Sequence, residues 1–123
     1  MVKVEIGHQD FLTQVEVGEH KIVVDEPIDN GGGDKGPTPT QLLLSSLGSC
    51  VAITLRMYSR QKGWELGDIN VGLTVEKVDG KKKIIEELSF GNQLETEQIE
   101  RLKEIAKRCP VSKMISSETE IVN

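Results

Sequence analysis

The sequence predicts an α+β fold: two groups of antiparallel strands with a long apolar helix between them. Three observations carry that expectation. Two stretches alternate apolar and polar residues, and each contains a hairpin signal. The segment between them opens on helix-capping residues and closes on a glycine. A shorter amphipathic stretch follows and ends at a proline.

The first strand is read from Val2, Val4 and Ile6, which alternate with polar neighbours. Phe11, Thr13, Val15 and Val17 alternate in the same way, and Gly18-Glu19 fits a two-residue turn with glycine in its first central position. His20, Ile22 and Val24 continue the pattern on the return strand. Residues 25–36 hold Pro27 and four glycines, Gly31-Gly32-Gly33 among them, and are expected to form a mobile loop unless something orders it.

Thr38 then suits a helix N-cap, Pro39 the first helical position, and Gln41 the third position of a capping box. The helix should run to about Lys62, with Gly63 as its left-handed stop. Leu42, Leu43, Leu44, Leu47, Val51, Ala52, Ile53 and Leu55 make its first half apolar nearly all round, so it requires cover on every side. Gly48 in its middle costs about 1 kcal/mol against Ala. That cost is explained if another backbone passes close by, such as a symmetry-related helix.

Ile69, Val71, Leu73 and Val75 predict a further strand, and Asp79-Gly80 a type I′ hairpin. Ile84, Ile85, Leu88 and Phe90 lie on the return strand, with less regular alternation. A second helix is expected over Thr96 to Arg108, with Ile99, Leu102, Ile105 and Ala106 as its apolar stripe and Cys109 extending it. Glu118 to Asn123 is read as a last short strand. The order is βββ-α-ββ-α-(β) in a single domain over residues 1–123. About six strands in one chain have to cover a helix that is apolar all round, so two chains are expected to share the burial as a homodimer.

The net charge is −5 in 123 residues, which argues against nucleic-acid binding. The run Lys81-Lys82-Lys83 reads as a solvated hairpin. The N-terminus alternates like a strand and lacks the apolar core of a signal peptide. No apolar run reaches the length of about 18 residues that suggests a membrane span. A cytoplasmic protein is expected, and there thiols are reactive, metal-binding or inert more often than permanently paired.

Cys50 and Cys109 are the candidate chemistry. Cys50 is either a small buried hydrophobe or a reactive thiol, and a reactive thiol needs a cation, a helix N-terminus or a hydrogen-bond donor beside it. It lies three turns into its helix, beyond that helix's own dipole. Cys109 either ends the second helix, where the dipole opposes a thiolate, or starts a new turn at Pro110, where it favours one. His8, His20, Cys50 and Cys109 lack the short paired spacings of zinc sites, so no metal or other cofactor is expected. The glycine loop lacks the Gly-Lys-Ser/Thr ending of a phosphate loop and reads as a flexible lip over a pocket.

Gly36-Pro37-Thr38-Pro39-Thr40-Gln41-Leu42-Leu43-Leu44, followed by Leu47-Gly48-Ser49-Cys50, resembles the central helix of the OsmC/Ohr family, the osmotically induced and organic hydroperoxide resistance proteins. His20 with Asp25-Glu26-Pro27, and Cys109-Pro110-Val111-Ser112, also resemble that family, particularly its small redox-type branch. The likeness covers nearly the whole chain. It implies an OsmC-like intertwined homodimer, with two antiparallel-rich sheets around central helices. It also implies a thiol peroxidase in which Cys50 is the peroxidatic and Cys109 the resolving cysteine. The substrate would be a hydroperoxide and the reductant an external dithiol of lipoyl or thioredoxin type. The sequence departs from the family where an Arg before the helix and a Glu near its start support the thiolate. No Arg precedes Arg56, and Thr40 stands at the Glu position. His20, Glu26, Lys35 and Thr40 are the candidate activating or pocket residues. The departure keeps open an OsmC-like dimer that binds a small ligand, or serves in stress, with unactivated cysteines. A purely structural dimer is the third reading.

Overall fold

Each strand pairs antiparallel with its neighbour in sequence, so every sheet contact is local in the chain. The computed structural model describes residues 1–123. Its elements are β1 (Val2–Ile6), β2 (Thr13–Val17), β3 (His20–Val24), a 3₁₀ turn (Ile28–Asn30), α1 (Pro39–Lys62), β4 (Ile69–Val78), β5 (Lys81–Phe90), α2 (Thr96–Ala106) and α3 (Pro110–Ser116). They fall into two compact units, residues 1–43 and 44–123.

In the first unit the sheet order is β1-β2-β3. The register Val4↔Val15 and Val15↔Ile22 puts the valines and isoleucines of the three strands on one face, His20 among them, except for Val23, which pairs with Gln14 on the other. Gly18 takes φ +59°, as the expected turn requires. β2 starts at Thr13 instead of Phe11, because residues 9–12 close a turn in which the Leu12 N–H donates to the Gln9 carbonyl at 2.9 Å.

The glycine loop is ordered by one side chain. The Asp25 carboxylate, only 3% exposed, accepts the backbone N–H of Glu26 at 2.8 Å and those of Gly33 and Lys35 at 3.2 Å each. The Glu26 N–H does most to hold its pKa below the ordinary carboxylate value. Burial opposes that effect, while the Lys35 and Gly33 N–H groups and the Lys35 charge add to it. Glycine is required at two places: a Cβ at Gly32 would strike the Glu26 carbonyl, and one at Gly36 the Val23 carbonyl.

The capping box of α1 forms as expected. The Thr38 N–H donates to Gln41 Oε1 at 2.9 Å and the Gln41 N–H to Thr38 Oγ1 at 3.2 Å. Gly63 stops the helix at φ +70°. Within one chain the helix is not covered all round. Leu47, Gly48, Val51, Leu55 and Ser59 form its buried stripe, whereas Leu43, Ile53 and Met57 are 47%, 56% and 63% exposed. α1 is also long and apolar enough to cross a bilayer, contrary to the expectation that no such run exists. Leu47, Val51 and Leu55 place it in the protein core with Leu66, Leu102, Ile105, Ala106 and Cys109. The neighbour of Gly48 in this chain is a side chain, not a second backbone: a Cβ there would lie 2.6 Å from Leu73 Cδ1.

β4 and β5 form the expected hairpin, with Asp79 at φ +51° and Gly80 at φ +78° giving the type I′ turn. Register places Ile69, Val71, Leu73 and Val75 on one face with Phe90, Leu88, Glu86 and Ile84 opposite them. The other face is largely polar, with Thr74 opposite Ile85 and Gly72 opposite Glu87.

α2 ends at Ala106, two residues before the expected Arg108, and Cys109 becomes the N-cap of α3. The last strand does not form, so the chain has five strands instead of six. Local bonds tie that segment to α3: the Ser117 N–H donates to the Lys113 carbonyl at 3.1 Å and Thr119 Oγ1 to the Met114 carbonyl at 2.6 Å. Ile121 and Val122 beyond it remain 90% and 80% exposed, with no burial to fix a strand.

Candidate dithiol site

The second unit brings the two cysteines together. Cys50 lies half-buried on the flank of α1, packed against the cluster that contains Cys109. Both thiols are free, and Cys50 is among the groups that raise the pKa of Cys109. Cys50 shares its side of α1 with the exposed Ile53 and Met57, three and seven residues on.

The open question of whether Cys109 ends one helix or starts another is resolved in favour of the start. Its Sγ accepts the Ser112 N–H at 3.2 Å, the bond made by an N-cap residue. A helix N-terminus alone would favour a thiolate. Here burial prevails, because Cys109 has no exposed surface. Burial pushes the Cys109 thiol up, the Ser112 N–H opposes it, and contact with Cys50 together with negative charge on Cys50 and Glu86 raises it further. The surroundings of Cys109 therefore disfavour its thiolate.

The four candidate activating residues belong to the first unit, not to the unit that holds the dithiol. His20 opens β3 and is exposed, and Thr40 is exposed in the first turn of α1. Glu26 is half-buried, and its carbonyl accepts the Asp34 N–H at 3.0 Å. Lys35 is exposed and gives its backbone N–H to Asp25. On α1, Arg56 is committed elsewhere: its Nη2 donates to the Gly67 carbonyl at 2.7 Å.

One residue escaped the sequence reading. Glu86 occupies an inward position of β5, opposite Leu73 and between Ile84 and Leu88. Burial pushes its carboxyl up, and its charge acts on Cys109. It lines a groove of about 370 Å³ with Ile84, Leu88, Lys103, Ala106 and Lys107. The available signal was a lone charge in an every-second-residue apolar series, masked by the adjacent Ile84-Ile85 pair.

The family model for OsmC-like proteins matches residues 31–122. Several solved structures are similar. An OsmC like protein from Mycoplasma pneumoniae is 19% identical with a TM-score of 0.74, over 95% of this chain and 86% of that one. An organic hydroperoxide resistance protein OsmC from Legionella pneumophila is 20% identical with a TM-score of 0.67, over 95% and 88%. The organic hydroperoxide resistance protein OhrB of Bacillus subtilis is 22% identical with a TM-score of 0.64, over 96% and 92%. At these identities the likeness establishes the fold. Among curated proteins none matches the sequence.

Proposed function

The chain belongs to the OsmC-like family, and from that premise we propose that it is a cysteine-based thiol peroxidase that reduces organic hydroperoxides. The observation that carries this reading is the packing of Cys50 against the buried cluster that contains Cys109. Cys50, the more accessible of the two, is the peroxidatic residue. Its thiolate bonds to the outer peroxide oxygen, the O–O bond breaks, and the alcohol leaves with a proton. Cys50 is then a sulfenic acid. Cys109 bonds to the Cys50 sulfur, water leaves, and a disulfide remains. An external dithiol of lipoyl or thioredoxin type restores both thiols. The hydroperoxide resistance proteins among the similar structures support the substrate class.

The active form is a homodimer in the cytoplasm, with residues 1–123 as one OsmC-like domain. The family match spans both units of the chain, and the uncovered apolar side of α1 beside Cys50 supports the dimer.

Purified reduced protein should consume cumene hydroperoxide in the presence of dihydrolipoamide or thioredoxin. Cys50→Ser should abolish turnover. Cys109→Ser should leave a single oxidation per subunit that stops at the sulfenic acid. Turnover that survives Cys50→Ser would remove Cys50 from the mechanism. One observation favours the alternative of ligand binding without turnover: Arg56 is engaged with Gly67, away from the thiols. A Cys50 thiol that titrates at or above about 8.5 would support that alternative.

A further inference from the structure

α3 has little of its own to hold it. It is seven residues long and none of them is fully buried, whereas an isolated helix in water needs about 12–15 residues to persist. Its hydrogen bonds stay within residues 109–119. The Lys113 N–H donates to the Cys109 carbonyl at 3.1 Å and Ser116 Oγ to the Ser112 carbonyl at 2.7 Å. The Ser117 N–H and Thr119 Oγ1 turn back onto the helix itself. Two side chains tie α3 to the apolar core. Val111 packs against the cluster from outside, and Cys109 is a buried member of it. Cys109 is also the cap, through the Ser112 N–H that its Sγ accepts at 3.2 Å. Pro110 opens the helix without an N–H of its own, so this bond satisfies one of the few free donors of the first turn. Ser, Thr, Asp and Asn are the favoured caps, and none of them changes its bonding with redox state. A sulfur does.

We propose that α3 is a redox-sensitive device: closing the Cys50–Cys109 disulfide withdraws the cap from Ser112 and loosens residues 110–119, which order again when the thiols are restored. This rests on the dithiol reading above. In the step each thiol gives up one proton and one electron, and the two sulfurs join. The hydroperoxide takes up both electrons and both protons, its O–O bond breaks, and it leaves as alcohol and water. The new bond is about 2.05 Å long with a dihedral of about 90°. Cys50 stands on α1 and Ser112 in α3, so a covalent bond to the first draws Cys109 Sγ away from the N–H of the second. The acceptor is lost at the one end of α3 that is anchored, and no fully buried residue of the helix compensates. The segment is therefore ordered in the dithiol state and loose only while a disulfide awaits its reductant.

Diamide replaces the peroxide in the test, because it takes the same two electrons and two protons from a pair of thiols. Hydrogen–deuterium exchange is followed by mass spectrometry on peptides covering residues 110–119, with α2 as the reference and free-thiol titration as the check on oxidation. Oxidised wild-type protein should exchange these amides roughly 2- to 30-fold faster than reduced protein, which is the loss of one cap expressed as an opening ratio. Reduced Cys109→Ala lacks the cap and should show the fast rate with no oxidant. Cys109→Ser keeps a capping oxygen and cannot bridge, so it should stay slow with and without diamide. An intrachain disulfide that leaves the rate unchanged, or raises it equally in α2, overturns the switch and leaves the dithiol couple standing. A slow rate in reduced Cys109→Ala, or a fast one in Cys109→Ser under diamide, overturns it as well. If the alanine variant does not fold, the wild-type pair and Cys109→Ser decide. Two thiols that survive diamide sink the switch and the dithiol couple together. Faster exchange in an oxidised protein that never turns over hydroperoxide leaves the switch in place and removes the peroxidase reading.

Discussion

Asp25 is buried and Glu86 half-buried, yet their surroundings push them in opposite directions. Asp25 meets three backbone N–H groups and its pKa falls, whereas burial raises that of Glu86. For Asp25 the stabilisation is present above the ordinary carboxylate pKa and is lost as pH falls through the depressed folded value. Asp25→Asn should therefore flatten the acid limb of a plot of urea midpoint against pH, and should expose residues 26–36 to proteolysis. An unchanged acid limb would show that this carboxylate is not what orders the loop. For Glu86 stability is greatest below the ordinary carboxylate pKa and declines as pH rises through the raised folded value. Glu86→Leu restores the apolar series of β5. Half-burying a leucine there should add about 1 kcal/mol, or roughly 4 °C in Tm for a chain of this size. The gain over wild type should widen from acid to neutral pH. A loss of stability in calorimetry at matched protein concentration would mean that Glu86 makes a structural contact instead.

At the scale of the elements, Gly48 separates two accounts of α1. A backbone crossing tolerates no Cβ, whereas the methyl of Leu73 can turn aside from its 2.6 Å approach. Gly48→Ala gains about 1 kcal/mol of helix propensity and spends much of it on moving Leu73, so its net effect should fall within about 1 kcal/mol of zero. Gly48→Val adds volume that Leu73 cannot clear and should cost about 2–3 kcal/mol. Denaturant melts of the pair decide, and a severe loss in the alanine variant would restore the close-backbone account. Both hairpins and the start and stop of α1 were legible in the sequence because they rest on local chemistry: Gly18, Asp79-Gly80, the Thr38–Gln41 box and Gly63. Features that depend on tertiary contact were not. The meeting of Cys50 with Cys109 depends on α2 stopping at Ala106, which lets Cys109 cap α3. The order of the glycine loop depends on donors eight and ten residues from Asp25. Glu86 was hidden because Ile85, paired with Thr74 out of phase with the apolar series, matches Ile84 in character.

For the whole molecule, the telling quantity is the apolar surface that each unit leaves bare. In the first unit Val2, Val4 and Ile6 are 61%, 65% and 56% exposed, on one face of a three-stranded sheet. In the second, Ile53 and Met57 are bare on the Cys50 side of α1. Soluble monomers rarely expose contiguous apolar patches beyond a few hundred Å². A second copy of the chain is the partner proposed for these faces, and the proposal can be read from variants that leave the buried stripe of α1 untouched. Met57→Glu and Val4→Glu each place an unpaired carboxylate in the intended interface. That change costs about 3–5 kcal/mol, which raises the dimer dissociation constant by on the order of 10³-fold. Sedimentation velocity at micromolar concentration should show wild-type dimers and monomeric variants. Because folding and association are linked by mass action, the wild-type Tm should also climb with protein concentration while that of the variants does not. A wild-type chain that sediments as a stable monomer at that concentration, with a Tm indifferent to dilution, would refute the dimer. It would also leave the Cys50 side of α1 open to solvent, where an apolar hydroperoxide has no wall to bind against.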